Sequence, residues 1–211
     1  MKYKLVVFDF DGTLADTFPW VSSMAGQITQ KYGFGPVPES EYETLRGLSA
    51  REIFKYLGIP WWKAPLIANY VRKLLTKEIG KVALFPGVDN LLATLANQQA
   101  VLAILSTNSF ANISKVLGPD NTALIEHFEC GASIFSKRSK LRKILKNSKV
   151  PAGQAIYIGD EIRDCEAATQ EGVAFGAVSW GYTRLEALQT CSPGEVFTRV
   201  DQISETVLAT A

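Results

Sequence analysis

The sequence predicts an α/β protein: a doubly wound parallel sheet carrying a helical cap inserted after its first strand. Three observations lead there. Short apolar runs of strand length recur at residues 5–8, 101–105 and 155–158, each ending in polar side chains. Helical periodicity separates them, the alternation that parallel strands with crossover helices require. Between Thr17 and Leu84 no stretch reads as a strand, so that length is a block of helices set into the core.

The first strand, LVVF at residues 5–8, is apolar or β-branched throughout, which suits a strand buried on both faces. It delivers Asp9 and Asp11 to the point where Gly12 and Thr13 break the run. A helix follows, capped by Asp16 or Thr17, with Pro19 tolerated in its first turn. Val21, Met24, Ile28 and Tyr32 share its apolar face, and Gly33 stops it. Ser49 and Glu52 have capping-box spacing and open a short helix with Ile53, Phe54 and Leu57, closed by Gly58 and Pro60. A longer helix spans residues 62–79 on the stripe Leu66, Ile67, Tyr70, Val71, Leu74 and Leu75. Trp61 and Trp62 are expected inside this helical block.

Phe85-Pro86-Gly87 returns the chain to the core, where Val88, Leu91, Leu92 and Leu95 define a helix packed on the sheet. The second strand ends in Ser106, Thr107 and Asn108. A helix over 111–117 closes at Gly118-Pro119, and residues 128–134 form a candidate third strand. In residues 137–149, Leu141, Ile144 and Leu145 face one way and Lys140, Lys143 and Lys146 the other, which reads as a solvated basic face. The fourth strand breaks at Gly159 and again delivers carboxylates, Asp160 and Asp164. Ala167 and Ala168 allow close packing of the helix after it, and residues 173–180 and 195–197 supply further strands. The expected organisation is a Rossmann-like core from residues 1–16 and 84–211, with 17–83 as the cap.

Composition narrows the function classes. A chain of 211 residues, 47% hydrophobic and 20% charged, buries a substantial core. Its 22 basic and 21 acidic residues nearly cancel, which argues against nucleic acid or a membrane surface as partner and for a small molecule. Cys130, Cys165 and Cys191 are odd in number and lack C-x-x-C spacing, as unpaired thiols of a reducing compartment do. No signal-peptide pattern and no run near the roughly 18 apolar residues of a membrane span is present, so a cytoplasmic protein, monomer or homodimer, is expected. His127 has no acid or metal partner at motif spacing and reads as structural.

The polar strand ends form a sequence of their own. Asp9-Phe10-Asp11-Gly12-Thr13 comes first, then Ser106 and Thr107, then a lysine in the run from 137 to 146, then Gly159-Asp160-Glu161-Ile162-Arg163-Asp164. In this order, over nearly the whole chain, the protein resembles the haloacid dehalogenase-like hydrolase superfamily, whose first and fourth motifs are D-x-D-G-T and G-D-x-x-x-D. The cap's position resembles that of phosphoglycolate phosphatases and phosphosugar enzymes.

The chemistry needs these residue types on elementary grounds. A phosphate monoester repels an anionic nucleophile, so a carboxylate attacks phosphorus only where cations neutralise the site. Mg2+ prefers hard oxygen ligands; Asp9 and Asp160 are the leading candidates, with Asp11 and Asp164 beside them. Attack by Asp9 gives an aspartyl-phosphate, while Asp11 serves as acid toward the leaving oxygen and then as base toward water. The resemblance implies the same roles. Ser106 or Thr107 donates to the transferring phosphoryl oxygens, the register being open, with Asn108, Gly12 and Thr13 as further phosphate-binding candidates. Lys137 is the expected neutralising lysine, placed as the resemblance implies in a loop before the basic helix; Lys140, Lys143 and Lys146 are the alternatives. Arg46, in Leu45-Arg46-Gly47-Leu48-Ser49, is a candidate fork for a substrate carboxylate, with an exposed structural role as the alternative.

The expected function is a Mg2+-dependent phosphatase acting on a small phosphorylated metabolite such as phosphoglycolate or a sugar phosphate. A phosphosugar mutase is the enzymatic alternative, and a receiver-like module or a catalytically idle interaction protein the non-enzymatic ones. A dehalogenase is disfavoured, since the superfamily's dehalogenases lack the acid at the position of Asp11.

Overall fold

Strand β1 (Leu5–Phe8) sits in the middle of a six-stranded, all-parallel sheet with β2 (Val101–Leu105), β3 (His127–Glu129), β4 (Ala155–Gly159), β5 (Ala174–Val178) and β6 (Glu195–Phe197). The structure is a computed structural model describing residues 1–35, 37–131 and 136–210. Strand order is β3-β2-β1-β4-β5-β6. The chain winds outward one way from β1 and the other way from β4, so the crevice lies beyond the carboxyl ends of these two neighbours.

Alternation along each strand divides the core in two. Val6 and Phe8 join Leu102, Ile104, Ile156 and Ile158 on one face, under α5 (Val88–Asn97), α6 (Phe110–Leu124) and α10 (Asp201–Leu208). Leu5 and Val7 join Ala103, Leu105, Ala155 and Tyr157 on the other, under α7 (Lys137–Ser148), α8 (Ile162–Glu171) and α9 (Leu185–Gln189). Burial on both faces is why the central strands read as unbroken apolar runs. Each buried Val, Leu, Ile or Phe side chain among them contributes about 1.5–3 kcal/mol relative to exposure, which fixes the strand ends that carry the polar residues.

Between β1 and α5 lie α1 (Phe18–Tyr32), α2 (Tyr42–Leu45), α3 (Ala50–Tyr56) and α4 (Ala64–Glu78). The outgoing and returning chains run side by side: Asp16 N–H donates to the Ala83 carbonyl and Phe85 N–H to that of Leu14, both at 2.9 Å. The Trp20 indole N–H donates to Glu78 at 2.8 Å, tying the first helix of the insertion to the last. Ser49 and Glu52 form the expected capping box, each side chain accepting from the other's backbone N–H.

Several boundaries differ from expectation for local reasons. Helix α6 continues past Gly118, where φ 74° and ψ 169° break its regularity before Pro119 lets it resume. Strand β3 is short; positions 132–134 of the expected strand lie outside the described residues. Helix α4 starts at Ala64, the Trp61–Lys63 turn before it being 3-10. Trp61 packs edge-on against Phe54, but Trp62 is 68% exposed rather than interior. Thr17 holds the N-cap position of α1 without capping it, because its hydroxyl is bonded to that of Tyr182 at 2.8 Å. The thiols of Cys130, Cys165 and Cys191 are free, and no described helix is long and apolar enough to cross a membrane.

Candidate active site

Asp9 is the first residue beyond β1 and is buried. Its N–H is held by the Ile158 carbonyl of β4 at 2.9 Å, and one carboxylate oxygen accepts from Phe10 N–H at 2.7 Å. The other accepts from the Lys137 ammonium at 2.5 Å. A tight turn then brings Thr13, Leu14 and Ala15 N–H groups onto the single carbonyl of Phe10. Gly12 makes that turn possible with φ +78°; a Cβ there would stand 2.3 Å from an oxygen of Asp160.

Asp160, at the end of β4, is fully buried. One of its oxygens accepts from Thr13 Oγ1 at 2.8 Å and the other from Tyr182 N–H at 2.7 Å. Thr13 therefore orients Asp160 rather than facing the cleft. Gly181 is needed for the same reason as Gly12, since a Cβ at that position would lie 2.2 Å from the Cβ of Asp160. Asp164, in the first turn of α8, accepts from Glu161 N–H at 3.1 Å, from Tyr157 Oη at 2.5 Å and from Lys137 Nζ. Glu161 is itself paired with Arg163.

Lys137 opens α7 instead of preceding it in a loop, and it is buried. A cation at a helix N-terminus runs against the helix dipole; the carboxylates of Asp9 and Asp164 outweigh both this and the cost of burial and hold the ammonium pKa up. Lys140 is half-buried rather than solvated, donating to the carbonyls of Ser106 at 3.1 Å and Gly131 at 2.9 Å, and so braces the loop after β2. Of that loop, Thr107 and Asn108 line the cleft, whereas Ser106 is buried with its hydroxyl accepting from Asn108 N–H at 3.0 Å. The Asn108 amide donates to Asp11 at 3.1 Å, and its carbonyl oxygen is fixed by Ser109 N–H and the Asn112 amide.

Electrostatics follows from this packing. Asp9, Asp11, Asp160, Glu161 and Asp164 gather around Lys137 and Arg163, an excess of negative charge at the head of the crevice. Burial pushes Asp9 up to about 7, with Lys137 pulling the other way and Asp164 adding to the rise. Burial likewise pushes Asp11 up to about 6, against the Asn108 hydrogen bond. Asp160 is raised strongly, by burial and then by Glu161, Asp9 and Asp164. Oxygens of Asp9, Asp160 and Asp164 lie within 4.8 Å of one another, and an all-oxygen donor set of this kind fits a hard cation such as Mg2+. The Asp11 side chain stands outside that group, because the turn carries it past the cluster and Asn108 holds it toward the cleft.

A cavity of ≈920 Å³ opens over these groups. Its floor is Asp9, Asp11, Thr107, Asn108 and Lys137; its far wall is apolar, including Val21, Phe54, Ile67 and Val71 from the helical insertion. Arg46 reaches it but is engaged with protein: Nε donates to the Tyr182 carbonyl at 3.2 Å, Nη2 to that of Gly181 at 3.0 Å, and Nη1 to Glu43 at 2.9 Å. It serves as a strut between the insertion and the loop after β5. That loop was not legible as part of the site. Besides those carbonyls it contributes the Tyr182 N–H and hydroxyl and the Trp180 indole, which donates to the Thr13 carbonyl at 3.1 Å; the available signal was Gly181 between two aromatics at a fifth strand end.

Paired acids at the switch point of a parallel sheet, a buried lysine between them and a cavity above define a hydrolase-type α/β active site. The chain belongs to the haloacid dehalogenase-like hydrolase family, whose model matches residues 6–178. A phosphoglycolate phosphatase of Synechococcus elongatus is 35% identical over 191 residues, covering 90% of each chain. That of Caulobacter vibrioides is 30% identical, covering 84% of this chain and 80% of its own. Among solved structures, a predicted phosphatase from Clostridium acetobutylicum superposes with TM-score 0.82 at 18% identity over 99% of both chains, which supports the fold. The protein is an enzyme of the hydrolase class.

Proposed function

We propose that the protein is a Mg2+-dependent phosphatase that hydrolyses a small phosphate monoester, phosphoglycolate or a sugar phosphate, through an aspartyl-phosphate on Asp9. The observation that carries this reading is the placement of two carboxylates with unlike surroundings: Asp9 on Lys137, and Asp11 in the hand of Asn108. The phosphoglycolate phosphatase relatives support the class of substrate. Residues 1–16 and 84–211 are read as the catalytic core and 17–83 as a cap that closes over the ester and excludes water. Cytoplasmic action suits the free thiols.

In this mechanism Asp9 attacks phosphorus and the ester oxygen departs with a proton from Asp11, whose raised pKa keeps a proton available near neutrality. Asp11 then takes a proton from the water that attacks the phosphoaspartate, restoring Asp9. Lys137 neutralises charge on the phosphoryl group, while Thr107, in preference to buried Ser106, and Asn108 donate to its oxygens. Asp9 and Asp160 would hold the metal, with Asp164 supporting from behind. Bound there, Mg2+ supplies the positive charge that lets a carboxylate approach an anionic ester.

The test is phosphate release from p-nitrophenyl phosphate. Activity with Mg2+ and its loss in EDTA are expected, and Asp9→Asn should lower kcat by at least about 10³-fold with an unchanged circular dichroism spectrum. Equal rates with and without the metal, or an active Asp9→Asn protein, would overturn the reading.

A further inference from the structure

With Arg46 engaged by backbone carbonyls, the cation that reads the organic part of the substrate must be sought elsewhere in the cavity. Lys137 is held by Asp9 and Asp164, Arg163 by Glu161 and Arg138 by Glu171. Arg51 lines the cavity from the first turn of α3 but is exposed to solvent. Arg72, on α4, is different. It lines the cavity, is half-buried, and among the described residues its guanidinium has no hydrogen-bond or ion-pair partner. Ala68, Val71 and Leu75, its neighbours on the cavity side of α4, are apolar, so none of them compensates the charge. Burial lowers the pKa of the Arg72 guanidinium, and the negative charge of Asp11, which lines the same cavity, acts against that.

An arginine does not neutralise by losing a proton, so a half-buried and unpartnered one is costly unless an anion arrives. Asp11 meets the leaving oxygen in the proposed mechanism. A cation that lines the same cavity on the insertion side therefore addresses the substrate's organic group beyond that oxygen, while the phosphoryl group itself rests on Lys137, Thr107 and Asn108. We propose that Arg72 is a specificity-determining residue that receives a carboxylate of the substrate's organic group in a bidentate fork, selecting short phosphorylated acids over neutral esters of the same size. This rests on the phosphatase reading and assigns to Arg72 a role for which Arg46 is one candidate in the sequence.

The experiment compares phosphoglycolate with 2-hydroxyethyl phosphate, which replaces the carboxylate by a neutral alcohol. In Arg72→Ala the ratio of kcat/KM for the acid to that for the alcohol should fall about 10- to 100-fold, the worth of a charge-assisted bidentate pair. The fall should come through KM, and Arg72→Lys should recover part of it. A ratio within twofold of wild type overturns the proposal, as does an equal loss on both esters, which would assign Arg72 to the phosphoryl group or to the fold. Failure of the phosphatase reading is seen separately, as no phosphate release from p-nitrophenyl phosphate by the wild-type protein. In that event calorimetric titration of phosphoglycolate into Asp9→Asn and Asp9→Asn/Arg72→Ala proteins still decides the matter: a tenfold difference in Kd carries the proposal and equal Kd overturns it.

Discussion

Asn108 shows how much of this site depends on residues that hold others. Its amide group grips Asp11, its carbonyl oxygen is held from two sides, and its backbone N–H rests on Ser106. Removing the side chain would free Asp11 to rotate and leave the buried Asn112 amide without its acceptor. Asn108→Ala should therefore lower kcat by about 10- to 100-fold, part of what positioned acid–base catalysis supplies. The loss should be greater for an alkyl phosphate than for p-nitrophenyl phosphate, whose leaving group is already a weak base and needs little protonation. Parallel steady-state kinetics on the two esters would check this; equal losses would mean that Asn108 acts on the phosphoryl group alone. An unpaired Asn112 amide costs about 1–3 kcal/mol, so a lowered melting temperature should accompany the change.

At the scale of elements, the position of Lys137 depends on how α7 lies against α8. Glu171, the last residue of α8, takes Arg138 Nε at 2.6 Å and Arg142 at 2.8 and 3.0 Å, binding the two helices along their outer edge. Hydrogen bonds from Arg142 and then Arg138 bring the Glu171 carboxyl down to about 2. A carboxyl whose folded pKa lies below its unfolded value stabilises the fold above about pH 4.5, and that contribution fades as pH falls toward 2. Solvent screens the exposed guanidinium groups, so Glu171→Gln should cost only about 0.5–1 kcal/mol at pH 7, roughly 1–4 °C in Tm. Melts of both proteins at pH 7 and pH 3 would check the sign: the gap should narrow at the lower pH, and a constant gap would dismiss the ion pairs as its cause. The helices and strands themselves were legible because buried strands and amphipathic helices leave periodic patterns. Contacts such as those of Arg46 were not, because its partners are carbonyls 135 and 136 residues away that any residue type could have provided. Lys140 reads as solvated in the sequence and is half-buried for a related reason, since a lysine stem can lie in the protein while its charge finds carbonyls at the tip.

Across the whole molecule, the fold concentrates acid where its two halves of strand winding diverge. The D-x-D-G-T and G-D-x-x-x-D stretches were readable because motif spacing is local, and their meeting follows from β1 and β4 being neighbours in the sheet. Their energetic consequence is not local. Asp9, Asp160 and Asp164 are buried close together, and Lys137 pairs with Asp9 and Asp164 without touching Asp160. Burial and the surrounding carboxylates raise Asp160 strongly, so the metal-free fold carries like-charge repulsion that a bound cation would relieve. A ligand that binds only the folded state stabilises it by about 2.7 kcal/mol at 100 times its Kd. For a chain of this length that corresponds to a rise of about 5–10 °C in Tm. Saturating Mg2+ should produce such a rise over EDTA-treated protein, without any substrate present. Asp160→Asn, which removes the carboxylate that Lys137 does not neutralise, should lose most of the shift. If both proteins respond equally to Mg2+, the cation binds elsewhere and the acid cluster is structural; if only the wild type responds, the crevice between β1 and β4 is the metal site.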